Sequence, residues 1–117
     1  MQPFFVLYMY ATIMGVCPIL YKNRFTWDEN KHNHNKQKHR ISFEEASTVF
    51  DDENVMMSPD FRHSYDEDRF IVIGMSRKSK VLMVCYCYRN YGSVIRIISA
   101  RKATKGEETE YWRLYYG

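Results

Sequence analysis

Residues 31 to 40 read KHNHNKQKHR, which puts three histidines, three lysines and an arginine into ten positions. Imidazoles bind metals and move protons near neutral pH, and a run of cations binds phosphate. Such a run also suits the wet face of a helix. Spacing separates these readings. A helical zinc pair needs histidines four apart, and none of His32, His34 and His39 has that spacing. On a strand His32 and His34 would share a face, but the Asn, Lys and Gln around them are poor strand formers. No metal site is therefore expected. If the segment is helical, Lys31, Lys38 and His39 fall on neighbouring positions of one stripe. That stripe makes a cationic patch with one group titrating near neutrality. His32, His34 and Lys36 are expected to be solvated surface.

A second candidate lies in RIISAR. Arg96 sits between Val94, Ile95, Ile97 and Ile98 in an apolar, strand-like run. A buried guanidinium costs several kcal/mol unless it is paired. Arg96 must therefore meet a carboxylate such as Glu44 or Glu45, or open into a site that takes an anion. Arg101 is five residues on, so simple alternation sends it to the opposite face. Both reach one face only if the strand ends or bulges between them. Trp27, at a strand–helix junction, reads as core or as a platform for an unstacked base.

Other chemistries find little support. Cys17, Cys85 and Cys87 are an odd set without a CxxC. They suit a reducing compartment, with Cys85 and Cys87 as buried apolar thiols. The five glycines are scattered and form no phosphate-binding loop. No Ser or Cys has a nearby His to activate it.

These residues need a scaffold, and 117 residues with 45% apolar side chains can build one core. The formal charge is only +3. Its distribution says more, since basic segments at 22–40 and 96–105 flank an acidic one at 44–68. That order folds into opposed basic and acidic faces, or into a mixed surface. RFTW (24–27) reads as a strand and Asp28 as the N-cap of a helix running to about Arg40. Ser42 and Glu45 form a capping box that opens a second helix through about Phe50. VMM (55–57) reads as a short strand. Residues 69–76, 81–89 and 94–101 are apolar and β-branched, with turns at 77–80 and 90–93, so they make an antiparallel meander. Gly92 suits positive φ in the second turn. Thr104 and Glu107 cap a last helix to about Tyr115. The order β-α-α-β-β-β-β-α gives an α+β domain with helices packed on a small antiparallel sheet.

Residues 1–20 contain no charged side chain, and their apolar core, Phe4 to Cys17, is too short to span a bilayer. They lack the positive n-region of a signal peptide. An apolar packing segment or a weak anchor are alternatives, but the reading favoured here is sequence attached by a wrong start, since Met9 and Met14 both precede the domain. The domain proper is expected over 21–117, without stable membrane association.

FTWDENK, KH before ISFEEASTVFDD, RFIVIGMS and IRIISARKAT stand in this order over about Tyr21 to Trp112. Together they resemble the BrnT family of toxins from bacterial type II toxin–antitoxin systems. The resemblance implies a RelE-like α+β fold and a cytoplasmic RNA endonuclease that arrests translation and needs neither metal nor cofactor. The ribose 2′-hydroxyl would attack the adjacent phosphorus and leave a cyclic phosphate. A ribbon-helix-helix antitoxin of the BrnA type would neutralise it, and operator DNA would be bound only through that partner. Residue by residue, it gives His39 the proton-transfer role and sets Lys38, Arg96 and Arg101 on the phosphate. Glu45, or its neighbour Glu44, would orient a basic residue or accept a proton. Trp27, Lys31 and Lys102 would contact RNA. Arg40 departs from the family, which often has Gly after the KH. The alternative reading is a non-catalytic module that uses the same basic face to bind nucleic acid or an acidic partner.

Overall fold

The structure, a computed structural model, describes residues 24–63 and 67–116. The expectations about residues 1–20 and Cys17 lie outside the described residues. Five strands form one sheet in the order β1-β5-β4-β3-β2. They are β1 (Phe25–Thr26), β2 (Met56–Pro59), β3 (Phe70–Met75), β4 (Val81–Arg89) and β5 (Val94–Lys102). Strands β3 to β5 pair antiparallel, as expected of the meander, and β2 joins β3 in the same sense. The sheet is nonetheless mixed, because β1 pairs parallel with the start of β5. Two helices separate β1 from the meander and carry the chain back across the sheet, so the two edge strands are not hairpin partners. Pro59 ends β2, where the sheet edge leaves no ladder bond to lose.

Helix α1 (Glu29–His39), helix α2 (Phe43–Ser47) and helix α3 (Lys105–Tyr116) complete the fold. Asp28 caps α1, its carboxylate accepting from the N–H groups of Asn30 and Lys31. At the other end Arg40 adopts φ 61 and donates its N–H to Lys36 O. This is the left-handed cap that glycine fills most cheaply. The glycine usual after KH in the resembling family thus has a backbone reason, and Arg40 takes the same conformation at a steric cost. The second helix is shorter than expected, since α2 ends at Ser47 and tightens into a 3-10 turn, Thr48–Asp51. Both capping boxes exist in part or whole. Thr104 and Glu107 exchange bonds of 3.2 and 2.8 Å. Ser42 Oγ accepts from Glu45 N–H, but the Glu45 carboxylate turns inward instead of back.

The core lies between the helices and one sheet face. Ile41, Phe43, Ala46 and Val49 pack on Val72, Leu82, Val84, Tyr86, Ile95, Ile97 and Ala100. Helix α1 has no apolar side chain at all. It docks through His32 and Asn35, both buried. Asn35 Nδ2 donates to Ala100 O (2.8 Å) and Ile41 O (3.1 Å), and its Oδ1 accepts from Ala100 N–H (3.1 Å). The β1 pairing stops at Arg96, so Asn35 continues that edge of β5 where no strand does.

Candidate active site

The site grows from a break in β5. Cys85 pairs with Ser99 and Tyr86 with Ile97, which leaves Ile98 as an extra residue. The core-facing residues before and after the bulge are Ile95, Ile97 and Ala100. Alternation is therefore reset, and Arg96 and Arg101 both fall on the sheet face opposite the core. The sequence left this point conditional on a bulge, and the bulge is present. Arg96 pairs in register with Cys87, and Arg101 with Met83. Those partners stand four positions apart on β4, so the two arginines start roughly 14 Å apart along the strand. Arg96 is half-exposed. Its guanidinium reaches Thr26 Oγ1 at 3.5 Å and pairs with no carboxylate among the described residues. The ion pair with Glu44 or Glu45 does not form.

Arg101 is held differently. Glu107 clasps it with two bonds, Nη1 to Oε1 at 2.8 Å and Nη2 to Oε2 at 3.1 Å. The same carboxylate closes the capping box of α3. This pairing holds the Glu107 carboxyl below its ordinary range. The sequence marked Glu107 as a cap, but its grip on Arg101 depends on a tertiary turn that no local pattern records.

Asn35 sets the remaining geometry. It pins α1 against Ala100, and His39 lies one turn further along the same stripe, beside the next β5 residue, Arg101. His39 is half-buried. Partial burial first, and then the charges of Lys38, Arg101 and His34, lower its pKa from 6.5. The imidazole is thus mainly neutral at pH 7 and able to take a proton. Lys38 and Lys31 are exposed on α1, and Lys102 is exposed at the end of β5. The stripe of Lys31, Lys38 and His39 is not a continuous free face, because Asn35 in its middle is buried.

Three expectations need correction. His32 is not solvated surface. It is 3% exposed, stacked on Phe43 (5.0 Å, 22°) with the Trp27 ring edge-on at 5.5 Å. Its Nδ1 meets Glu29 at 3.1 Å, and its Nε2 lies 3.2 Å from Glu44 Oε1 but outside hydrogen-bond geometry. Of the three imidazoles on this polar helix, His32 is the one that faces Phe43 and Trp27, and it buries there. His34 and Lys36 are exposed, as expected. Glu45 does not join the cations around His39. Its buried carboxylate accepts from Ser76 Oγ (2.8 Å) and faces Lys80 at 4.0 Å, which ties α2 to the β3–β4 turn. Trp27 packs against the core beside Phe43 and His32, so most of its ring is not offered to a base. Cys85 and Cys87 are buried, as read from sequence. Burial pushes the Cys85 thiol up to about 11, so it carries no charge at neutral pH.

Residues 27–107 match the family model described as the ribonuclease toxin, BrnT, of type II toxin–antitoxin systems. The chain belongs to the BrnT family. Among solved structures it is similar to the ribonuclease toxin BrnT of Brucella abortus, with 22% identity and a TM-score of 0.54. That alignment covers 69% of this chain and 96% of the other. No curated protein matches the sequence. Membership makes this BrnT-family chain a ribonuclease toxin with an RNA target and an antitoxin partner. In this BrnT-family fold His39, Lys38 and Arg101 gather where the end of α1 meets β5, and Arg96 continues the same sheet face. Among the described residues no helix is long and apolar enough to cross a membrane.

Proposed function

We propose that the chain cleaves RNA by metal-independent transfer within the strand, with His39 as general base. The neutral imidazole takes the proton of a ribose 2′-hydroxyl. The oxygen attacks the adjacent phosphorus, and the 5′-oxygen leaves with a proton from solvent. A 2′,3′-cyclic phosphate and a 5′-hydroxyl result. Arg101 and Lys38 stabilise the charge that develops on the phosphoryl oxygens, and Arg96 holds a neighbouring phosphate of the same strand. Lys31 and Lys102 add long-range attraction for the backbone. The observation that carries this reading is the convergence of a base-competent His39 with Arg101 at the free edge of β5. Cleavage in the cytoplasm would arrest translation. A ribbon-helix-helix antitoxin would neutralise the toxin and carry operator binding for the pair.

Arg96 supplies the test. Among the described residues it reaches no carboxylate and only skirts Thr26, so Arg96→Ala should stay folded. Its cleavage of single-stranded RNA in EDTA should fall at least tenfold, measured as kcat/KM. Wild-type activity in Arg96→Ala would remove this residue from the site. The competing reading, a binding module without catalysis, would show salt-dependent RNA binding and no cyclic-phosphate product.

A further inference from the structure

The sheet face that carries the two arginines also carries a groove of about 620 Å³, of whose lining the roles above use only Arg101. Its floor is apolar, built from Ile71, Met83 and Ile98 with the uncharged Cys85 thiol. Its rim is cationic, with Arg62, Arg69 and Arg101. Phe61 stands at the same rim and is 85% exposed. An isolated exposed Phe is unremarkable. Here the ring borders an apolar floor, follows a buried aspartate, Asp60, and precedes an exposed arginine. A flat apolar slot edged by guanidinium groups has the chemistry of a nucleotide subsite, with stacking for the base and charge for the phosphate. Arg101 belongs to both places, since it lines the groove and its charge acts on His39. The groove therefore adjoins the proposed point of cleavage.

We infer that this groove binds an unstacked nucleotide of single-stranded RNA next to the scissile phosphate, with the base against Phe61 and its phosphate at Arg62. The inference rests on the cleavage reading only for the position of the scissile bond. Among the described lining residues three guanidinium groups accompany one carboxylate, the buried Asp60, and Arg62 is exposed, a pattern that favours RNA over an apolar partner segment. Stacking of one base on an aromatic ring contributes about 1–3 kcal/mol by alanine substitution, which corresponds to roughly 5- to 150-fold in affinity.

The experiment uses the full chain and a fluorescein-labelled single-stranded RNA with 2′-O-methyl sugars throughout. Such RNA cannot undergo 2′-hydroxyl attack, so binding is read whether or not the protein cleaves. Phe61→Leu keeps apolar bulk and removes the π face, and should weaken binding roughly tenfold. Phe61→Trp should restore it. Arg62→Ala should weaken binding and lower the salt dependence by about one phosphate contact. Both side chains are exposed, so the variants should melt like the wild type. With cleavable RNA, Phe61→Leu should raise KM with little change in kcat. Wild-type binding by Phe61→Leu and Arg62→Ala would overturn the subsite and leave the His39 chemistry standing. Loss of antitoxin neutralisation in these variants, with RNA binding intact, would assign the groove to the protein partner and overturn it equally. Absence of cleavage by the wild type, with these binding losses still observed, would sink the proposed mechanism and keep the subsite.

Discussion

Three histidines seven residues apart at most have three different fates, and neighbours decide each one. His32 fills a slot between Phe43 and Trp27, so it behaves as a core aromatic with a polar edge. His32→Ala should cost about 2 kcal/mol or more in urea unfolding, because it leaves a cavity and frees two carboxylates. His34→Ala should stay within about 0.5 kcal/mol. Equal effects of the two would refute the assignment. The spacing of seven between His32 and His39 was legible and does place them on one stripe. What could not be read was that the stripe is the buried one, since α1 contains no apolar residue to mark it. Arg40 makes a second case. Its φ of 61 costs an L-residue about 1–2 kcal/mol. Part of that returns as chain entropy if glycine replaces it. Arg40→Gly should raise stability by about 0.5–1 kcal/mol in the same unfolding assay, and a loss would mean that the Arg40 side chain makes an unrecognised contact.

At the scale of elements, one amide does the work of a missing strand. Asn35 satisfies both backbone groups of Ala100 and the carbonyl of Ile41. A truncated partner strands these buried groups, each at about 1–3 kcal/mol. Asn35→Ala should therefore destabilise the fold by about 3 kcal/mol, and hydrogen exchange at Ala100 N–H should quicken. Slow exchange in that variant would show that the edge is closed by something else. Asn35 escaped the sequence reading because an asparagine inside a polar run carries no periodic signal. Element order and the three meander strands were legible, since β-branched runs between short turns leave few options. The parallel β1–β5 pair was not. Two residues of strand contain no register, and only the helices decide which edge they reach. The bulge at Ile98 was equally hidden, although the need for one followed from the five-residue spacing of Arg96 and Arg101.

At the scale of the molecule, the helices and apolar core occupy one side of the sheet and leave its other face to a groove with an apolar floor and a cationic rim. The basic–acidic–basic order of the chain contributes to this separation but does not complete it. Much of the acidic middle segment is spent inside the fold. Glu45 anchors Ser76, and Asp52 accepts from Met75 N–H and Tyr111 Oη. Carboxylates of that segment thus serve as internal ties. The basic residues at the end of α1 and along β5 stay near solvent, where RNA can reach them. Arg101 joins the two sides, since Glu107 fixes it to the last helix while it lines the groove.

The central claim is that His39 acts as a base whose pKa is lowered by partial burial and by Lys38, Arg101 and His34. A base with a lowered pKa is active above that pKa and loses activity only as the pH falls through it. Single-turnover cleavage of single-stranded RNA in EDTA, followed across the acid range, tests this most directly. The wild-type rate should rise with pH along a limb centred below 6.5 and level off above it. In His39→Ala it should fall by about 10²–10⁴-fold, and that limb should vanish. A rate that requires a divalent metal, or a His39→Ala profile that keeps the wild-type limb, would contradict the account.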